Sequence, residues 1–256
     1  MRIVHLSYAT DYRDAGIASA LTDLVAAQHS VQLTSDWLVV ADIPSFRRDR
    51  FLLSSLLTQK YDIAHIHGLW RAPTRIASRL PKSNLPSIIS PHGMLTPTAL
   101  SISRHKKQLV WHLWERNALS SASCFHALSD FEANSIRKLF PDNPIAVIPN
   151  CIQLPDPNFG CSDVSPPWAS SIPEEDSVIL YLGRFHPIKG LDPLLEAWKS
   201  VEHLAIKHNF WLVLVGYGDD ASLASRVSRA QNLGELVRVR VFGPVFGLEK
   251  HAALSA

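Results

Sequence analysis

One stretch of the chain, residues 178–204, combines an apolar run, a glycine turn and a long amphipathic segment. Residues 178–182 (V-I-L-Y-L) have no polar alternation, which is typical of a strand covered on both faces of a parallel sheet. Gly183 then permits a tight turn, and Asp192 followed by Pro193 is typical of a helix N-cap and a first-turn proline. The stretch therefore predicts a strand, a loop and a helix, with the loop at the carboxyl end of the strand.

The loop of this unit carries two cations, Arg184 and Lys189. Anionic ligands bind beside helix N-termini at the carboxyl ends of parallel strands. Arginine offers a bidentate fork and lysine a mobile point charge, and together they suit a diphosphate. No G-x-x-x-x-G-K-[ST] pattern fits around Lys189, which argues against a P-loop nucleoside triphosphatase. The alternative is that both side chains are merely solvated on a surface loop.

The segment G-R-F-H-P-I-K-G-L-D-P-L-L-E-A-W, residues 183–198, resembles the donor-site pattern of retaining glycosyltransferases of family 4, the group 1 glycosyltransferases. Their pattern is close to G-R-x-x-x-x-K-G-x-x-x-L-x-x-A. The resemblance covers nearly the whole chain and implies an α/β fold of the GT-B type, with two Rossmann-like domains built on parallel sheets. In that family the Arg and the Lys hold the diphosphate of a nucleotide-sugar, a role that falls here on Arg184 and Lys189.

Further segments add site residues through the same resemblance. P-H-G-M-L looks like the family segment whose histidine sits beside the transferred sugar, which implies this role for His92. Ala15-Gly16 stands where the family has two glycines that contact the donor diphosphate, so Gly16 is a predicted donor-binding residue. Near the C-terminus, Val245 and Lys250 match positions that approach the nucleotide base and the diphosphate.

The predicted strands and turns divide the chain into an N-terminal acceptor domain, 1–154, and a C-terminal donor domain, 176–256. A proline-rich connection, 155–175, joins them. The family's next strand and its acidic E-x7-E motif do not follow, so we expect the second domain to be incomplete and sugar transfer by this chain to be slow or absent. The strands are expected at 3–6, 37–40, 63–66, 87–90, 124–128, 145–148, 178–182, 211–215 and 237–242.

Three histidines raise a metal hypothesis. Residues two apart on a strand share a face, so His65 and His67 can both point at one ion, with His92 nearby in a neighbouring loop. This would make a metal-dependent hydrolase. No carboxylate pair completes such a site, however, and buried histidines are more often structural. We therefore predict no bound metal and no cofactor other than the nucleoside-diphosphate-sugar substrate.

Composition narrows the partners and the compartment. A net charge of +2 and the absence of zinc-finger or RNP patterns argue against nucleic acid. Cys124, Cys151 and Cys161 form no C-x-x-C pair, which favours free thiols in the cytoplasm. The basic, tryptophan-containing segment 103–119 predicts a helix. It either packs through Val110, Leu113, Trp114 and Asn117 or lies on the inner face of an anionic membrane.

The sequence thus predicts a retaining, metal-independent glycosyltransferase that acts on a saccharide or lipid-linked saccharide in polysaccharide or glycoconjugate biosynthesis. The alternatives are a non-catalytic nucleotide-sugar-binding remnant, and the hydrolase built on His65, His67 and His92.

Overall fold

Two compact units make up the protein, Met1–Gln153 and Leu154–Ala256. The structure, a computed structural model, describes residues 1–11, 14–152, 164–186, 189–218 and 223–256, apart from the side chains of Ala15 and Lys82. Much of the predicted proline-rich connection, 155–163, lies outside the described residues. The predicted α/β class with parallel sheets is confirmed in both units.

The first unit is a parallel sheet of six strands: β1 (Arg2–Ser7), β2 (Thr34–Val39), β3 (Ile63–His67), β4 (Ser87–Ser90), β5 (Cys124–Ala127) and β6 (Ile145–Val147). Their order in the sheet is β2-β1-β3-β4-β5-β6. All but the first residue of β1 and of β3 is buried, as expected for strands near the middle of a covered sheet. Its helices are α1 (Ala15–Ser30), α2 (Arg48–Thr58), α3 (Ala72–Arg75), α4 (Pro97–Ser101), α5 (Arg104–Val110), α6 (Arg116–Ser120) and α7 (Asp130–Leu139).

The elements of the second unit are β7 (Ser177–Leu182), α8 (Leu191–Lys207), β8 (Phe210–Val215), α9 (Leu223–Asn232), β9 (Val239–Phe242) and α10 (Gly247–Ser255). The strands form a three-stranded parallel sheet in the order β7-β8-β9. Most of β8 is buried, whereas Ile179 of β7 is 47% exposed. The expectation that 178–182 is covered on both faces is therefore wrong, because β7 is an edge strand of the described sheet.

Helix α8 begins earlier than the sequence predicts. Gly190 occupies the N-cap position with φ 71°, and Asp192 lies in the first turn instead of capping the helix. The expected Asp192 N-cap is therefore wrong. A glycine takes the left-handed conformation at no steric cost, which lets the loop end at Gly190.

The predicted helix at 103–119 is present but contains a π-helical turn, Trp111–Glu115, between α5 and α6. The buried residues are Glu115, Ala118 and Leu119, whereas Leu113 is 64% exposed. The predicted inward stripe is therefore wrong at Leu113 and at Asn117, which is also exposed. A π turn adds a residue to the helical repeat, so side chains beyond it face a direction that regular spacing does not give.

Two smaller expectations concern the cysteines and the membrane. Of the predicted free thiols, Cys124 and Cys151 are free, and Cys161 lies outside the described residues. Within the described ranges no helix has the length and apolarity needed to cross a membrane.

Candidate functional site

The order of the six-stranded sheet fixes where a ligand can approach the first unit. Strands β2 and β3 lie on opposite sides of β1, so the strand order changes direction between β1 and β3. Connections that leave such neighbouring strands diverge and open a crevice at their carboxyl ends. A small pocket of about 30 Å³ lies there, lined by Tyr8, Asp14, His67, Gly68, Leu69, Arg71, Pro73 and Met94.

A line of hydrogen-bonded histidines runs from α1 to this edge. Gln28 Oε1 lies 2.9 Å from His5 Nε2, His5 Nδ1 lies 3.0 Å from His67 Nε2, and His67 Nδ1 lies 3.1 Å from His92 Nε2. The amide oxygen of Gln28 can only accept, so His5 carries its proton on Nε2. His5 Nδ1 then accepts from His67 Nε2, and His67 Nδ1 accepts from His92 Nε2, so each neutral ring donates from Nε2. His92 is left with Nδ1 as an unprotonated acceptor.

A second line of hydrogen bonds fixes two more rings. His126 Nε2 donates to the Ile148 carbonyl over 2.8 Å, so its Nδ1 accepts from the Ser90 hydroxyl at 2.8 Å. The Ser90 oxygen in turn accepts from His65 Nε2 at 2.7 Å. Both lines are satisfied with neutral imidazoles.

Burial keeps His5, His65, His67 and His92 neutral at pH 7. Desolvation lowers the pKa of His5, and it lowers the pKa of His65 and His67 well below the ordinary value, with nearby histidines adding to the effect. The pKa of His92 falls to about 4, first through burial and then through the charge of His126. At neutral pH His92 is therefore a hydrogen-bonding group and not a cation.

The loop that carries His92 has an unusual backbone and a dedicated support. His92 and Gly93 both have positive φ angles, 51° and 77°, and such angles in non-glycine residues persist only where the surroundings impose them. The buried carboxylate of Glu132 supplies this constraint, because Oε1 accepts from the Gly93 amide at 2.6 Å and Oε2 from the Leu128 amide at 2.8 Å. Ser129 caps α7, accepting from the Glu132 amide at 3.3 Å.

A second buried carboxylate supports the loop after β3. Glu115, in the π-helical turn, accepts from the Trp70 amide at 2.8 Å and from the Thr74 hydroxyl at 3.1 Å. Trp70 has φ 68°, so this loop also contains a left-handed non-glycine residue. Burial raises the pKa of Glu115, and the two hydrogen bonds oppose that shift. The loops after β3 and β4 are thus each held by one carboxylate.

The histidines that lie close enough together to share a metal ion differ from the predicted set. Nitrogen atoms of His5, His65 and His67 lie within 4.8 Å of one another, whereas His92 is not in this set. All three rings are buried, and His5 and His67 already bond to each other. A catalytic metal site keeps an open position for water or substrate. The geometry favours a structural hydrogen-bond network over such a site.

In the second unit, the loops after β7 and β8 run side by side. Phe185 forms a parallel bridge with Gly218, and the Phe185 amide donates to the Tyr217 carbonyl at 2.6 Å. A Cβ on Gly216 would lie 1.8 Å from the Gly183 carbonyl oxygen, so only glycine fits there. Asp219, which follows Gly218 in the sequence, lies outside the described residues.

Four of the five predicted donor-binding residues are exposed, either in the loop before a helix or in its first turn. Arg184 and Lys189 are exposed on the loop between β7 and α8, and Lys250 is exposed on the first turn of α10. Gly16 is exposed at the start of α1, with open space around it. Val245 differs, because its side chain packs in the core with Trp168, Ile172, Val213, Val215 and Ala253 and so does not face a ligand.

Several residues that shape this edge carry no sequence signal. His5 and Gln28 are far apart in sequence from His92, and nothing in their spacing indicates a hydrogen-bonded line. The same holds for Glu115. Ser129 and Glu132 have the S-x-x-E spacing of a capping box, yet the Glu132 side chain reaches the amides of Leu128 and Gly93 instead of the Ser129 amide.

These observations define a class of protein: two α/β units with parallel sheets, each with its motif-bearing loops at the carboxyl ends of its strands, as in the GT-B fold. Residues 4–154 match the model of Glycosyltransferase Family 4, and residues 167–252 match that of Glycosyl transferases group 1. The chain belongs to glycosyltransferase family 4. Among curated proteins, none matches the sequence significantly.

Solved structures confirm the fold. The UDP-GlcNAc 2-epimerase from Methanocaldococcus jannaschii has a TM-score of 0.63 at 13% identity, with 99% of this chain and 76% of that chain covered. An E. coli structure described as trehalose-6-phosphate bound with UDP-2-fluoro glucose has a TM-score of 0.60 at 12% identity, covering 98% and 76%. The UDP-GlcNAc 2-epimerase from Neisseria meningitidis bound to UDP-GlcNAc has a TM-score of 0.60 at 13% identity, covering 100% and 76%. At such identities the likeness is one of fold.

Proposed function

We propose that this chain is a retaining glycosyltransferase that moves a sugar from a nucleoside-diphosphate-sugar to an acceptor hydroxyl, in polysaccharide or glycoconjugate biosynthesis. The observation that supports this most is the family match over 4–154, together with the loop that holds His92 at the ligand edge of that same unit. Structures of the same fold bind UDP-GlcNAc and UDP-2-fluoro glucose, which supports a nucleotide-sugar as donor.

Arg184 and Lys189 would act on the leaving group. Departure of a nucleoside diphosphate builds negative charge on the phosphate oxygens, and fixed cations beside it lower the energy of the transition state by several kcal/mol. The same electrostatic role is often filled by a divalent metal ion. Two protein cations make a metal unnecessary, and Lys250, Gly16 and the backbone at Val245 would complete the donor contacts.

His92 would orient the transferred sugar. Because its imidazole is neutral and its Nε2 already donates to His67, its Nδ1 is available to accept from a sugar hydroxyl. A neutral acceptor positions the sugar without competing for the charge that develops on the diphosphate. The left-handed backbone at His92 and Gly93 would aim the ring.

The acceptor would be a saccharide, free or lipid-linked. Two exposed leucines, Leu109 (63%) and Leu113 (64%), together with the basic residues Arg104 and Lys106 on the same helical run, support peripheral contact with an anionic membrane. Sedimentation with anionic compared with neutral vesicles tests this contact, and equal binding to both would contradict it. A cytoplasmic location stays a prediction.

The proposal is tested by donor screening followed by product analysis. Thermal shifts with UDP-, GDP- and ADP-sugars identify the donor, and the stabilised pair is then incubated with candidate acceptors, with and without EDTA. We expect a glycosylated product of retained anomeric configuration, formed slowly as the sequence predicts and at equal rates in both conditions. Loss of activity in EDTA would favour the hydrolase, and saturable binding without turnover would favour the non-catalytic remnant. Conversion of the donor to its C2 epimer would instead place the chain with the epimerases of this fold.

A further inference from the structure

A second, larger cleft opens beside the small pocket in the first unit. Its volume is about 410 Å³, and it shares Tyr8 and Arg71 with the pocket that contains His67. It therefore continues from the edge at which His92 lies. Its lining combines aromatic rings with three arginines: Tyr8, Ser45, Phe46, Arg48, Trp70, Arg71, Ala72 and Arg75.

The cleft carries excess positive charge. Asp49 pairs with Arg75 through a 2.7 Å ion pair, which neutralises one of the three arginines. Among the described residues, no carboxylate lies within ion-pair distance of Arg48 or Arg71. Asp14, in the adjoining pocket, also interacts electrostatically with Arg71. The wall thus presents two guanidinium groups whose charge is not matched by a bonded carboxylate.

Both guanidinium groups are held in place before any ligand binds. Arg48 donates from Nε to the Ile43 carbonyl at 2.8 Å and from a terminal nitrogen to the Ala41 carbonyl at 3.1 Å. The Arg71 guanidinium carbon lies 3.6 Å from the centre of the Tyr8 ring. Arginines fixed in this way lose little freedom when they bind a planar or tetrahedral anion.

We propose that this cleft binds the acceptor, and that the acceptor is a sugar with an anionic group, a phosphate or a carboxylate. Arg48 and Arg71 would bind the anion, and the ring of Phe46, which is 80% exposed, would pack against the sugar. Aromatic walls with a few placed polar groups are the usual composition of small-molecule sites. This inference rests on the proposed function, since it assigns the second substrate of the same transfer.

Binding is tested by calorimetry on the whole chain, with glucose 6-phosphate and glucuronate as anionic probes and with glucose and inorganic phosphate as references. At least one anionic sugar should bind tenfold or more tightly than glucose. Arg71→Gln should weaken that binding by about 10- to 100-fold, as expected for loss of a charge-assisted contact. Arg71→Lys, which keeps the charge, should lose less. Arg50→Gln, at an exposed position of α2 outside the cleft, is the matched control and should bind like the parent.

Binding of UDP to the same variants separates this inference from the proposed function. If UDP binds and Arg71→Gln leaves UDP binding unchanged, the donor site is intact, and the acceptor result stands by itself. Anionic sugars that bind no better than glucose, or inorganic phosphate that binds as tightly as glucose 6-phosphate, would overturn the inference. So would anionic vesicles that bind through Arg71 while no sugar does. Failure of UDP and of every UDP-, GDP- or ADP-sugar to bind would instead count against the proposed function.

Discussion

At the scale of single residues, the ligand edge of the first unit is governed by burial and not by charge pairing. Four histidines there have a lowered pKa, and desolvation is the first cause for each. Their hydrogen bonds run to one another, to Gln28 and to Ser90, all of which suit neutral rings. A residue at this edge can therefore be tested for a role in orienting substrate separately from any role in binding charge.

Replacement of His92 should affect turnover more than nucleotide binding. In His92→Asn the imidazole is removed, and asparagine tolerates the left-handed backbone at this position better than most residues. We expect the rate of transfer to fall at least tenfold while the dissociation constant for UDP changes less than threefold, because only the sugar would contact this side chain. Steady-state kinetics and calorimetry give the two numbers, and an equal loss in both would move His92 to the phosphate or to the fold.

Truncation of either loop cation should have the opposite effect. Arg184→Ala or Lys189→Ala removes a charged contact to the diphosphate, and UDP should bind about 10- to 100-fold more weakly. Lys199→Ala serves as the control, because this side chain is on the exposed surface of α8 and pairs with Glu196. Calorimetry with UDP gives the dissociation constants of the parent and the variants. Parent-like binding by both variants would show that this loop is not the donor site.

At the scale of elements, the second unit depends on close approach between two loops. Gly216→Ala would place a methyl group 1.8 Å from the Gly183 carbonyl oxygen, and the strands β7 and β8 would have to move apart at their carboxyl ends. Such overpacking costs about 1–3 kcal/mol. The midpoint of urea denaturation should fall accordingly. Gly243→Ala meets nothing within 4 Å and should leave the midpoint unchanged; the same midpoint for both variants would contradict the packing described here.

Local sequence patterns predicted where the strands lie, but not which strands are exposed or how the helices begin and turn. All nine predicted strands are present in the described residues, because apolar runs bounded by turn residues report backbone geometry. The neighbours of β7 depend on strand order, which no local pattern encodes, and so its exposure was missed. The start of α8 and the π-helical turn at Trp111–Glu115 were also missed, since both arise from local backbone choices that regular spacing does not contain.

The sequence indicates the motifs of the candidate site, but not the residues that hold its loops or line its cleft. His92, Arg184 and Lys189 stand in segments with recognisable spacing. Glu115 and the Arg48 and Arg71 pair act through contacts between segments far apart in sequence, such as the 45-residue separation of Trp70 and Glu115. Only the folded chain brings them together.

At the scale of the whole molecule, the buried histidines make stability depend on pH. Their pKa values are lower in the folded state than in the unfolded chain, so the unfolded chain binds more protons below about pH 6.5. The free energy of unfolding should therefore be constant above pH 7 and should decrease as the pH falls from about 6.5 towards the folded values, about 4 for His92. Each histidine contributes up to about 1.4 kcal/mol per pH unit within that window. Glu115 and Asp14, whose pKa values are raised, act with the opposite sign.

Urea denaturation at pH 7.5 and pH 5.5 measures this dependence. His65→Asn, which removes one buried imidazole, should lose less stability between the two values than the parent does. His105→Asn, at an exposed position of α5, should lose as much as the parent. A parent whose stability is equal at both values would mean that the histidines are not buried as a group.

The carboxylate of Glu132 joins two loops that leave different strands, since one oxygen accepts from Gly93 and the other from Leu128. Neither loop can open while the other stays in place without leaving a buried oxygen of Glu132 short of a hydrogen bond. The backbone amides of Gly93 and Leu128 should therefore show the same free energy of opening in hydrogen exchange, as a single opening unit. In Glu132→Gln, whose amide group can accept through only one atom, the two opening free energies should separate.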